Sequence, residues 1–380
     1  MSSHRLFILF LLLAVGTLTG CSATLKELSQ LPEPYQLTAI GKADAGKPLA
    51  VSSRGQAAVI SDGGVKLIAL DKEKEPVKVT PRPASALAFS PEGDRLAAAI
   101  PAEGAKTDLR IFDTDGKTVA ETSIPAQAAA LAWVAGDRLV VLALELKRYS
   151  FGTLVNSVVF QWDGNKAPSA EMVGSVTLRP PLSRLADEAI VQNRNLAASP
   201  FGDEIAYSVL RDPPMFTPYQ KVITRHLATG RTSEVADISV NSQTLLYFPD
   251  GDTLLIGNGQ GMSRRVTIPD GKEIYAWPSA GALPAISPGG SYLYLDGRLY
   301  QDGNRTAYFP EKTRGVFLPD GSGLLLSWNG TLYRLSGLEE MKKAPRPADP
   351  ARFLELRRLR AQGLIDEKEY RERRTRMLVK

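Results

Sequence analysis

The only thiol of this 380-residue chain is Cys21, in the segment Leu18-Thr19-Gly20-Cys21. Arg5 opens the segment before it, and Leu6 to Val15 form an apolar run of roughly ten residues. A positive start, a short apolar stretch and small residues at Thr19 and Gly20 are the parts of a secretory signal. The run is too short to cross a ~30 Å hydrocarbon core, which takes about 20 apolar residues. Beyond Cys21 the chain holds one histidine, His226, in Thr224-Arg225-His226-Leu227 ahead of a Thr229-Gly230 turn. With no second His or Cys near it, His226 is expected to be a surface or inter-strand residue rather than a base or metal ligand. No Gly-x-Ser-x-Gly elbow and no phosphate loop ending in Lys-Ser/Thr is present. Asp113-Thr114-Asp115-Gly116 has part of a calcium-loop pattern without the distal Glu, and a hairpin turn accounts for it. The expected sets of catalytic residues, metal ligands and cofactors are therefore empty. Carboxylate-only hydrolysis stays open, because its residues converge from distant strands.

The Leu18-Thr19-Gly20-Cys21 segment resembles the lipobox of bacterial lipoproteins. The resemblance implies cleavage between Gly20 and Cys21, a diacylglycerol on the Cys sulfur and an acylated new amino terminus. Several acyl chains hold a protein to a membrane where one does so only marginally. Ser22 is not the Asp that marks inner-membrane retention in that family, which favours an outer membrane facing the periplasm if the cell has one. The expected location is the bacterial cell envelope.

Hydrophobic content of 43% and charge of 23% are globular values. The net charge of +5 belongs to the tail: residues 351–380 hold ten Lys/Arg and five Asp/Glu, and the rest is neutral. A neutral body lacks the electrostatic footprint of a nucleic-acid binder.

From about 49 to 340 the chain repeats a short apolar strand, a turn built on Ser/Phe-Pro-x-Gly or a variant, and a second apolar strand. Leu87 to Leu96, Leu246 to Leu255, Ala285 to Leu293 and Val316 to Leu325 are the clearest copies. Pro presets φ at the first corner and Gly supplies the positive φ that other residues resist. Second hairpins follow, as at Asp115-Gly116 and Asp270-Gly271. Four short strands per unit make a β-propeller blade. Seven turn glycines (Gly55, Gly93, Gly136, Gly202, Gly251, Gly290 and Gly321) predict seven blades, with an insertion in the third within about 144–190. The turns resemble those of WD-repeat and TolB-like propellers, which implies their architecture and no particular function. The expected class is all-β, a propeller of about seven four-stranded blades with a C-terminal helical hairpin.

Residues 1–20 read as signal, 21–48 as a tether in which Tyr35 to Ile40 could add one strand, 49–340 as propeller and 341–350 as a Pro-rich linker. Over 351–362, Phe353, Leu356 and Leu359 form one stripe. Gly363 suits a helix end, and Asp366 with Glu369 suits the start of a second helix through Tyr370 to Met377 and Leu378. Leu356-x-x-Leu359, Gly363-Leu364-Ile365 and Asp366 to Tyr370 resemble the short C-terminal (SHOCT) domain of bacterial proteins, which implies an interaction or oligomerisation element. A 30-residue hairpin cannot bury a core alone; it needs a partner, a second copy or the propeller. Its arginines are either a solvated face or a patch for anionic headgroups.

Two irregular segments are candidate contact surfaces: Lys147 to Gly152, with Tyr149 and Phe151, and Arg211 to Tyr219, with Met215, Phe216 and Tyr219. With Phe353, Leu356, Leu359, Ile365 and Tyr370 these are the expected interaction residues. The functional expectation is a non-enzymatic envelope scaffold whose partners are envelope proteins and, through lipid, a membrane, with homo-oligomerisation through 351–380 also open. The alternatives are a carboxylate-dependent hydrolase or glycan binder using the propeller channel, and a ligand-sensing or assembly factor.

Overall fold

The structure, a computed structural model, describes residues 31–380 apart from 72–73, 181–194, 212–218, 241, 243, 258–260, 280–283, 311–312, 340–345 and 380. Cys21, Gly20, Met215 and Phe216 lie outside the described residues. Seven four-stranded antiparallel sheets form the seven blades of a β-propeller. Within the first six blades the strands A to D follow chain order, and the A strands of successive blades touch around the axis. Alternating direction places every A–B and C–D turn on one face of the ring, called here the turn face. The B–C and D–A connections lie on the opposite face.

All seven turn glycines sit in A–B turns at φ between +70° and +76°. In blade 4 the Gly202 N–H donates to Ser199 O at 2.9 Å and the Ser199 N–H to Glu204 O at 2.8 Å, closing the turn. Asp113-Thr114-Asp115-Gly116 is the C–D turn of blade 2, where Asp113 Oδ1 accepts from the Asp115 and Lys117 N–H groups at 3.0 and 2.9 Å. Sheets packed on both faces need apolar residues in unbroken runs, as in Leu139 to Leu144, all fully buried. A separate apolar cluster fills each of the seven joints between neighbouring blades.

The ring closes with a strand from the segment read as tether. Gln36–Lys42 pairs with Thr331–Ser336 as strand D of blade 7, beside Arg314–Phe317 and Leu324–Trp328. The propeller therefore begins at Gln36, and the boundary expected at 49 is corrected. Gln36 lies opposite Ser336, so the chain enters the ring at the turn face.

The third unit carries its extra length in strands. Arg138–Tyr149, Gly152–Trp162 and Ser169–Leu178 run past strand A of their blade, Gln127–Val134, and stand beyond the face opposite the turns. Leu144, Val155, Val176 and Leu178 pack one side of this plate against Leu210 of blade 4.

The tail forms α1 (Pro350–Gln362) and α2 (Glu367–Met377). Asp349 caps α1 by accepting the Arg352 N–H at 3.1 Å, Gly363 ends it at φ +72°, and Asp366 caps α2 by accepting the Glu369 N–H at 2.8 Å. Leu378 is not helical: Leu378–Val379 pairs with Arg346–Pro347 as a two-stranded ribbon that ties the end of the chain to the linker.

Candidate functional site

The helical hairpin lies on the turn face, over blades 4 and 5. Blade 4 comprises Leu196–Ala198, Glu204–Arg211, Tyr219–His226 and Thr232–Ser239; blade 5 comprises Leu245–Tyr247, Thr253–Gly257, Ser263–Thr267 and Glu273–Trp277. Each A–B turn there ends in Gly-Asp, placing Asp203 and Asp252 on the surface that the hairpin covers. Ser199 Oγ donates to Asp203 Oδ1 at 2.7 Å, which orients the carboxylate and leaves Oδ2 for the tail. Arg357, 3% exposed, donates from Nε to that Oδ2 at 2.5 Å and from NH1 to Asp252 Oδ1 at 3.1 Å. Arg360 NH1 also reaches Asp252 Oδ1 at 3.1 Å, the Tyr370 hydroxyl donates to it at 2.9 Å, and Arg374 Nε pairs with Oδ2 at 2.6 Å. Three guanidinium groups and one phenol converge on two turn carboxylates.

Apolar contacts frame the charges. The Phe353 ring meets Phe201 with centroids 4.8 Å apart, and Arg357 Cζ lies 5.2 Å from the Phe201 centroid. A Cβ on Gly251, at φ +72°, would stand 2.5 Å from the Phe201 ring, so glycine leaves that ring its place. Breaking one partner from a buried, hydrogen-bonded ion pair costs roughly 3–5 kcal/mol, because the other charge is left unpaired.

Beneath the hairpin is a polar cavity of about 100 Å³ bordered by Glu204, His226, Arg231, Arg360 and Glu367 among others. Glu204 lies opposite His226 on adjacent strands and accepts from the Tyr247 hydroxyl at 2.8 Å. Burial pushes the Glu204 carboxyl up despite Arg357 and Arg360. Burial would also raise Asp203, but the charge and hydrogen bond of Arg357 outweigh it and hold Asp203 below the usual carboxylate range. Thr229 Oγ1 accepts the Arg231 N–H at 3.3 Å and lies 3.2 Å from His226 Nδ1. On the other side of the ring, His226 Nε2 lies 3.9 Å from Asp203 Oδ2. Burial, then the positive charges of Arg357, Arg360 and Arg358, lower the His226 pKa against the opposing pull of Asp203. His226 is an inter-strand residue as expected, and a buried one. Among the described residues no group of three or more His, Cys, Asp or Glu is placed to hold a metal ion, and no helix is long and apolar enough to cross a membrane.

The expected interaction residues divide. Phe353, Leu356 and Tyr370 are buried in contacts within the chain, and Leu359 and Ile365 are half-buried. Of the three supports open to the hairpin, the propeller is the one it uses, and its apolar stripe is not free for a second copy. The arginines divide as well. Arg358, Arg371, Arg373 and Arg376 form the solvated face, the first three paired with Glu355, Glu367 and Glu369. Arg357, Arg360 and Arg374 correct that reading, being half-buried or buried against the turn carboxylates. Tyr219 is half-buried at the start of its strand, with Lys221 Nζ 5.9 Å from its ring.

Tyr149 and Phe151 are exposed, at 48% and 62%, and stack with centroids 5.1 Å apart and planes 8° from parallel. They form the tip of the overlong blade-3 hairpin. On the other side of the plate Asn156 donates to Glu145 Oε2 at 3.3 Å and Ser175 to Asn156 Oδ1 at 2.8 Å, a polar relay behind the aromatic tip.

No protein-family model matches the chain, and no curated protein matches it. Solved structures do. One chain of a mitotic checkpoint complex crystal structure superposes at TM-score 0.55 with 13% identity, covering 80% of this chain and 93% of its own length. The β-propeller domain of Cps50 (Swd1) from Myceliophteria thermophila superposes at TM-score 0.56 with 14% identity, covering 80% of this chain and all of that one. At such identities the likeness is one of fold. The neighbours are WD40-like propellers.

Proposed function

We propose that this chain is a non-enzymatic scaffold of the bacterial cell envelope, anchored by acyl chains on Cys21 and binding a protein partner through the blade-3 hairpin. The observation that carries the reading is the exposed Tyr149–Phe151 pair on a strand-built projection. Aromatic anchors that enter a partner's pocket dominate interface energetics, and rings already stacked at the tip of paired strands lose little freedom on binding. The propeller fold adds support by analogy only. Fourteen residues lie between Cys21 and Gln36, a reach of about 50 Å when fully extended. A lipid at Cys21 would join the propeller from its turn face, opposite the blade-3 tip. In this reading the helical hairpin, like the SHOCT module it resembles, is an interaction element, and its partner is its own propeller.

The test places a photo-crosslinking residue at 149 in the full-length protein in membranes, with Val119, an exposed position on blade 2, as control. A discrete adduct from 149 that is lost when Phe151→Ala is added supports the reading. Identical adducts from 149 and 119 overturn it. Cys21→Ser is expected to move the protein from the membrane to the soluble fraction.

One observation favours the hydrolase alternative: Glu204 is a carboxyl raised by burial beside a second carboxylate, Asp203. Against it, the adjoining cavity of about 100 Å³ is capped by the hairpin, well under the roughly 300 Å³ at which ligand clefts begin. Asp203 is better accounted for as a docking group of the hairpin, and Glu204 as the buried acceptor of the Tyr247 hydroxyl.

A further inference from the structure

A second cavity opens on the turn face beside the hairpin, with a volume of about 610 Å³, inside the range of ligand clefts at roughly 300–1,000 Å³. Its floor holds Pro200, Pro249 and Pro288 from the A–B turns of three successive blades, and its wall holds Pro347, Phe353 and Leu354. We infer that this cleft binds a proline-rich extended segment of a protein partner.

The lining contains no charged residue among those described, so a charged ligand entering it would lose hydration without compensation. Its two polar side chains are already engaged: the Tyr247 hydroxyl donates to Glu204, and Ser287 Oγ accepts the Tyr292 N–H at 3.0 Å. Few side-chain acceptors remain here for the N–H groups of an ordinary peptide. Proline has no N–H to orphan, and a polyproline helix offers flat rings that seat between aromatic and proline rings. The cleft already shows this complementarity, because Pro347 and Pro350 of the chain's own linker form part of its wall. It is also continuous with the hairpin interface through Phe353. The site is on the face opposite the Tyr149–Phe151 tip, so the two proposals stand or fall separately.

Fluorescein-labelled decaproline is titrated into the full-length protein and followed by anisotropy, with a Gly-Ser peptide of equal length and dodecanoate as comparison probes. The expected result is saturable binding of decaproline alone, weakened at least tenfold by Leu354→Arg and by Pro288→Arg. Hydrogen exchange of α1 must match wild type in both variants, so that loss of binding reports the cleft and not an undocked hairpin. Absence of saturable decaproline binding overturns the proposal. So does affinity unchanged in both variants, or saturation by dodecanoate in place of decaproline.

Discussion

Arg357 Nε and Asp203 Oδ2 meet at 2.5 Å across 154 positions of sequence, and this contact fastens a helical hairpin with no core of its own to the propeller. Neither group is placed by its local surroundings alone. Asp203 is aimed by Ser199 of its turn, and Arg357 is carried on the helix stripe that also buries Phe353 and Leu356.

Replacing Arg357 by Ala leaves Asp203 buried without its cation. The expected loss is roughly 3–5 kcal/mol of hairpin docking, read as faster hydrogen exchange in α1 and α2 with the blades unchanged. The double variant Arg357→Met/Asp203→Leu, which removes both charges and keeps the volume, should recover most of that loss.

Docking should weaken on mild acidification. His226 has its pKa lowered in the folded protein, by burial first, so the released or unfolded chain binds a proton that the docked form resists. Its contribution is complete above the ordinary histidine pKa of about 6.5 and declines as pH falls below it. Asp203, also lowered, acts in the same direction further down, from about pH 4. Melting curves between pH 8 and 5 should show the first decline in wild type and not in His226→Gln.

Glu204 works the other way. A carboxyl raised by burial favours folding at low pH and costs stability once pH rises through its folded pKa. Glu204→Gln keeps an acceptor for the Tyr247 hydroxyl and removes the charge. It should raise the melting temperature at pH 8, at about 1–2 °C per kcal/mol for a chain of this size, with a smaller gain at pH 5.

Gly136 and Gly251 share a φ near +75° but not their surroundings. A Cβ at Gly136 meets nothing nearer than Arg138 Nε at 4.0 Å, while at Gly251 it strikes the Phe201 ring. Gly136→Ala should cost only the left-handed backbone strain of roughly 1–2 kcal/mol. Gly251→Ala should cost more, and denaturant melts of both variants measure the difference.

The blades were legible because each announces itself within ten residues: Pro and Gly in Ser90-Pro91-Glu92-Gly93 dictate backbone angles by covalent structure. Gln36–Lys42 was legible as a strand but not as a blade, since its partner Thr331–Ser336 lies at the far end of the chain and its burial shows no simple alternation. The hairpin's two caps, Asp349 aside, could be read from Gly363 and Asp366. Which arginines it buries could not: seven occur between 357 and 376, and only the position of the turn aspartates selects Arg357, Arg360 and Arg374. The one available clue was the repeated Asp after the turn glycine, at 94, 137, 203 and 252.

The seam in blade 7 joins residues 300 apart in the chain, as where Ser336 Oγ donates to Gln36 O at 3.4 Å. A chain made from its amino terminus holds Gln36–Lys42 without its partner strand until synthesis passes Ser336. Ring closure is thus a late and intrinsically slow event, because the entropy of bringing distant segments together comes before any contact between them can repay it. Until then the edge of that strand that later pairs with Thr331–Ser336 is open to neighbouring chains and the face of blade 1 that packs on blade 7 is uncovered, so the seam sets how long the nascent protein is exposed to misassembly.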